Sequence, residues 1–227
     1  ERFNIPILKK IFNMGLPAGI QSTAISISNV YIQSAVNYFG SSAVAGYTAA
    51  ANIGGFLYLA LNSIYQTSMT LTAQNFGCGN FKRIKKGIII SEAVVAILGI
   101  TICMSALIFK DPLLRLYTND PVSLDAGYKY YYIIASTYFL CGMMEVMTGG
   151  LRGLGKSLEA MIITMSTMAL FRIIWNYTAF AWLKTLETVY IAYPISWTMS
   201  IIIMFFRLKH CIGKCELQYS KANSLHS

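Results

Sequence analysis

Residues 87–109 read GIIISEAVVAILGITICMSALIF, an unbroken apolar run in which Glu92 is the one charged side chain. A helix needs about 20 consecutive apolar residues to cross the hydrocarbon core of a bilayer, and this run is long enough to do so. Five further runs of the same kind flank it, at 14–38, 44–71, 130–150, 158–183 and 188–208. Hydrophobic residues make up 56% of the 227-residue chain, charged residues 12%, and mean hydropathy is +0.54. A soluble domain carries about 25% charged residues, so half that number leaves too little to coat a water-facing surface. The same arithmetic excludes a disordered chain, a coiled coil and a disulfide scaffold. The expected fold is therefore an all-α membrane protein, a six-transmembrane-helix bundle over residues 1–210 followed by a polar tail at 211–227.

The basic residues sit between the runs, where they act as topology signals rather than as a nucleic-acid surface. Arg2, Lys9, Lys10, Lys82, Arg83, Lys85, Lys86, Arg152, Lys156, Arg207, Lys209, Lys214 and Lys221 fall on one side, against Lys110, Arg115, Lys129 and Lys184 on the other. That asymmetry predicts both chain ends cytosolic, with six crossings between them. Two connections are long. Asn75–Lys86 bears glycines and then a basic cluster, and Lys110–Lys129 predicts a short interfacial helix followed by an Asp120 cap with Pro121 at the first helical position. Pro17 and Pro194 are expected to loosen the first and last spans. The five cysteines are scattered and odd in number, which predicts free thiols; Cys211 and Cys215, four apart in the tail, also admit a metal or lipid reading. The chain opens on Glu1 with no signal peptide ahead of the first run, as expected of a piece of a longer protein.

The polar residues inside the runs carry the functional signal. Ser22, Ser26, Asn29, Gln33 and Asn37 follow one another at helical spacing and share one face of the first span. Asn52, Gly55, Asn62 and Gln66 repeat the pattern on the second. Amides turned to lipid are costly, so both stripes are expected to face protein or water. Interhelical hydrogen bonding explains one or two polar groups per helix; a whole polar face points to a hydrated cavity. Glu145 in the fourth span and Arg172 in the fifth are the intramembrane charges that call for partners. They either pair with one another, across an axial offset of about 10 Å, or act apart. In the second case Glu145 faces the cavity as a proton carrier, and Arg172 clamps backbone carbonyls or Asn176, or meets substrate. Tyr138 shares the Glu145 face. Glu92, near the basic cluster ending at Lys86, reads as an interfacial carboxylate reaching to water. Enzyme constellations are missing: His210 and His226 both lie in the tail, no metal-ligand cluster occurs, and GCGNFK and GLRGLGKS lack the strand context of a nucleotide loop.

Several segments, taken in order, resemble the C-terminal lobe of MATE (multidrug and toxic compound extrusion) transporters. These are MGLPAGIQ at 14–21, the segment from Asn29 to Ile53, QNFGCGNFKRIKKG at 74–87, LYTNDP at 116–121, GGLRGLGKS at 149–157 and FRIIW at 171–175. The resemblance implies a twelve-helix antiporter of two six-helix lobes that exports cationic or amphipathic compounds in exchange for inward sodium or protons. This chain would be the second lobe, its partner the missing N-terminal lobe. It implies no cofactor beyond the coupling ion, no metal and no nucleic acid. NorM-like members place an aspartate near Cys141 or Gly142, neither of which is acidic, so the motifs sit nearer the DinF-like branch, where the proton site lies in the first lobe. The candidate cavity residues are Ser26, Asn29, Gln33, Asn37, Asn52, Asn62, Gln66, Tyr138, Glu145, Arg172 and Asn176. A lipid-linked oligosaccharide flippase of the same superfamily and a non-transporting membrane scaffold are the alternatives.

Overall fold

In the computed structural model, residues 4–224 are described, apart from the side chains of Lys10 and of 222–224. Arg2 and the Lys10 side chain from the basic count, and His226 of the tail, lie outside the described residues. Six long helical rods follow one another: α1 (Ile5–Asn37), α2 (Ser41–Gly77), α3 (Phe81–Ile108), α5 (Pro121–Gly153), a composite fifth rod over 157–183, and α9 (Leu186–Ser224). A short helix, α4 (Lys110–Arg115), precedes α5. All but α1 are long and apolar enough to cross a bilayer. Hydroxyls and amides from Gln21 to Asn37 lower the mean hydropathy of α1.

The turns follow local chemistry. Asn80 starts α3 by accepting from the Arg83 backbone N–H at 3.1 Å. Asp120 starts α5 as expected, accepting from the Ser123 N–H at 2.9 Å and the Ser123 hydroxyl at 2.7 Å, with Pro121 in the first turn. Those hydrogen bonds hold the Asp120 carboxyl below the usual carboxylate range. Gly155, at φ +76°, makes the turn into the fifth rod, a backbone conformation that glycine reaches without strain.

Helix α5 is the axis of the bundle, packed against α2, α3 and α9. Small residues allow it. A side chain at Gly149 would put its Cβ 2.8 Å from the Tyr65 carbonyl oxygen of α2, and one at Gly153 would put it 2.7 Å from that of Met69. Membrane helices commonly approach at such positions. The interior is filled by Ile134, Met144 and Leu151 of α5 with Tyr190 and Met204 of α9. Outward, α3 presents Ile89, Ile97 and Ile108, 66–70% exposed, as a lipid-facing belt.

Two expectations change. The helices carrying Pro17 and Pro194 run on through them, and the irregular rod is the fifth. There α6 (Ser157–Thr164), α7 (Phe171–Trp175) and α8 (Ala181–Leu183) are joined by π-helical turns at Met165–Leu170 and Asn176–Phe180. The segment expected as a separate tail continues α9 and packs on α3, with Tyr219 against Phe81 at 5.8 Å and Lys85 paired to Glu216 at 2.7 Å.

Candidate functional site

Helix α1 packs through Ile32, Val36 and Ser28, whose hydroxyl donates to the Met168 carbonyl at 3.3 Å. That seating turns the polar stripe away from the bundle. Ser22, Ser26, Asn29 and Asn37 are exposed and Gln33 is half-buried. Their hydrogen bonds stay within the helix: Ser22 donates to Ala18 at 3.0 Å, Ser26 to Ser22 at 2.9 Å, and the Gln33 amide to Asn37 Oδ1 at 3.3 Å. On α2, Asn52, Gly55 and Gln66 are exposed, and the half-buried Asn62 bonds within its own helix. Among the described residues, neither stripe cross-links helices. Gln66 opens onto a groove of about 440 Å³ that continues along α2 past Thr70 and Gln74 to Arg83 of α3.

One relay ties the α2 stripe to the membrane carboxyl. The Asn62 amide donates to the Tyr58 hydroxyl at 3.1 Å, and that hydroxyl donates to Glu145 Oε1 at 3.5 Å. Tyr58 is four residues from Asn62, one turn away on the same face, and that spacing is the one sequence signal that separates it from the other fourteen of the fifteen tyrosines. Tyr138 stands apart from this relay, edge-on to Trp197 with centroids at 5.5 Å.

Glu145 and Arg172 do not pair. Arg172 is 1% exposed. Its Nε donates to the Ser196 hydroxyl at 2.9 Å, and its guanidinium lies 4.2 Å from the Tyr193 ring centroid and 5.9 Å from that of Trp197. The clamp onto Asn176 is also not formed: both polar atoms of that amide, and Nη2 of Arg172, are buried without partners. Aromatic faces, which attract a desolvated cation through the ring quadrupole, take the place expected of a carboxylate.

Arg152 supplies a contact that sequence reading missed. It donates to the Tyr65 hydroxyl at 2.5 Å and to Gln21 Oε1 at 2.9 Å, while Ser157 donates to the Met14 carbonyl at 2.9 Å. The GGLRGLGKS turn is thus clasped to MGLPAGIQ, two segments far apart in the chain. Among the described residues no group of three His, Cys, Asp or Glu side chains is placed to hold a metal ion. The site therefore offers uncharged hydrogen-bonding faces, with one carboxyl behind them.

Comparison with known proteins gives a consistent picture. The family model described as MatE matches residues 17–178. The chain is 28% identical over 187 residues to the probable multidrug resistance protein YpnP of Bacillus subtilis (strain 168), covering 80% of this chain and 42% of that protein. It is 27% identical over 157 residues to the probable multidrug resistance protein NorM of Thermotoga maritima, covering 69% of this chain and 34% of that one. A solved structure titled as the outward-facing conformation of a multidrug resistance MATE family transporter superposes with a TM-score of 0.86 at 16% identity. That match covers 94% of this chain and 48% of the other. The chain spans less than half the length of the curated relatives it matches.

Proposed function

Because this chain belongs to the MatE family, we propose that it forms the second six-helix lobe of a cation-coupled antiporter. In this reading the antiporter exports cationic or amphipathic compounds across the plasma membrane in exchange for inward sodium or protons. The stripes on α1 and α2 line an aqueous cavity facing the other lobe. Asn29, Gln33, Asn52, Asn62 and Gln66 supply donors and acceptors there, and the Asn62–Tyr58–Glu145 relay links the cavity to a carboxyl. Ser26, Asn37 and Tyr138 extend its edge. Both chain ends lie on the cytosolic side, where the basic residues collect.

The observation that carries the reading is that, among the described residues, the two stripes make no interhelical hydrogen bond. A scaffold using amides as glue would spend them on neighbouring helices. A lipid-linked oligosaccharide flippase calls for basic side chains in the cavity, and Arg172, fully buried, contributes none. The test is dye efflux by the full-length protein in cells lacking their own pumps, with the sodium and proton gradients collapsed in turn. Efflux that stops with one gradient supports antiport and names the ion. No efflux, or efflux indifferent to both gradients, contradicts it.

A further inference from the structure

A groove of about 620 Å³ runs between α3 and α9, away from the amide stripes. Ile88 and Ile89 form one wall, Phe205 and Leu208 the other, and Met147 lies at the back. Ile89 and Phe205 are 69% and 52% exposed, so the groove opens onto the apolar flank. Three charged residues line it: Lys85, Glu92 and Lys209. Lys85 is paired with Glu216. Glu92 was expected to reach water at the interface; instead both its carboxyl oxygens are buried and without a hydrogen-bond partner. Lys209 is exposed, and no carboxylate lies within ion-pair distance among the described residues.

The register of the two helices places these unanswered groups together. Phe81 meets Tyr219 and Lys85 meets Glu216, so α3 and α9 run antiparallel. Seven residues further along each helix, about 10 Å at 1.5 Å per residue, Glu92 and Lys209 reach the same depth. A carboxyl and an ammonium thus share one apolar groove at one level without closing on each other.

A buried polar group without a partner is costly, and one class of occupant answers both. We propose that this groove is a lipid-headgroup site for a zwitterionic phosphoethanolamine amphiphile. Its ammonium donates to Glu92, its phosphate accepts from Lys209, and its hydrocarbon lies along Ile89 and Phe205. Clefts with basic residues between membrane helices are known to hold lipid headgroups. A purely anionic lipid leaves Glu92 unanswered, and a cationic amphiphile meets Lys209 with like charge. This inference concerns lipid rather than cargo and does not rest on the transport reading.

The test is lipid retention by the purified full-length protein, delipidated and then titrated with phosphatidylethanolamine, phosphatidylglycerol or phosphatidylcholine. Bound lipid is counted by native mass spectrometry. Phosphatidylethanolamine should be retained about tenfold more tightly than phosphatidylglycerol, the low end of what one charge-assisted hydrogen bond supplies. Glu92→Gln should bring the two to near parity, Lys209→Gln should weaken both, and Ile89→Trp should block all three. Equal retention of the three lipids, preference for phosphatidylglycerol, or a phosphatidylethanolamine preference that survives Glu92→Gln would overturn the proposal. Should Glu92→Gln fail to fold, exposed Lys209 carries the test, and undiminished retention in Lys209→Gln overturns it equally.

Discussion

Replacing Asn29 and Gln33 together by leucine separates a cavity lining from structural glue, because the two readings differ in what stability should do. Neither side chain bonds to another helix, and the one side-chain bond at stake joins Gln33 to Asn37 at 3.3 Å within α1. Losing an exposed intrahelical pair costs about 0.2–0.5 kcal/mol. Leucine facing an aqueous cavity gains no burial to set against that loss. The net change in stability therefore stays within those few tenths of a kcal/mol. Glue would give a different sum, with two interhelical bonds at about 1 kcal/mol each lost together. Transport should respond in the opposite sense. Two hydrogen-bonding groups, each worth about 0.5–1.5 kcal/mol to a bound solute, correspond to roughly a 5- to 150-fold fall in efflux at 1.4 kcal/mol per decade. The assay pairs thermal unfolding of the full-length protein in detergent with dye efflux from cells at matched membrane abundance. Reduced efflux with an unchanged melting temperature fits the cavity. A melting temperature that falls in step with activity refutes it.

Substitutions at three further positions test the coupling carboxyl, the buried arginine and the α2–α5 contact. Glu145→Gln keeps the side-chain volume and an acceptor for the Tyr58 hydroxyl but removes the charge, and should weaken efflux at unchanged membrane abundance; full efflux would remove Glu145 from coupling. Arg172→Ala empties a filled, buried site and should cost about 2–5 kcal/mol, as large-to-small core changes do. Arg172→Met fills most of the volume and drops a desolvation penalty of several kcal/mol, so it should melt within a few degrees of the parent; equal losses in the two variants would show that the charge itself is indispensable. Gly149→Leu drives a side chain into the α2 backbone at Tyr65 and should sharply reduce folded protein recovered from membranes, beyond the 1–3 kcal/mol of ordinary overpacking; normal recovery would mean that α2 and α5 are less tightly apposed than described.

Much of the fold was legible because membrane helices announce themselves by composition. The six runs, their order, the short helix before α5 and the Asp120 cap all follow from local pattern. The π-helical turns of the fifth rod were not legible: Met165–Leu170 and Asn176–Phe180 contain no proline or glycine, and both lie against α1 and α9. The stripes were legible as faces, but not their relations. Periodicity says which residues share a side of a helix, never which side chain on another helix meets them. Tyr58 against Glu145, Ser196 beneath Arg172 and Gln21 beside Arg152 each needed three dimensions. Arg172 misled in a specific way. An intramembrane charge calls for a partner, and Glu145, backbone carbonyls and Asn176 were the expected ones, whereas the guanidinium lies against the aromatic faces of Tyr193 and Trp197.

Water at the α1 and α2 stripes is the quantity that separates a cavity from a dry face. Single cysteines at Ser26, Asn29, Gln33 and Asn62 in a cysteine-free full-length background, treated with a charged, water-soluble maleimide, read it directly, with Ile97→Cys on the exposed apolar flank of α3 as the comparison. Thiols react through the thiolate, which forms in water and not in hydrocarbon. A water-lined cavity gives rapid labelling at the four stripe positions, slowed by bound cargo, and an inert Ile97→Cys. Stripe thiols as inert as that one would place the amides in lipid or in a dry contact and contradict it.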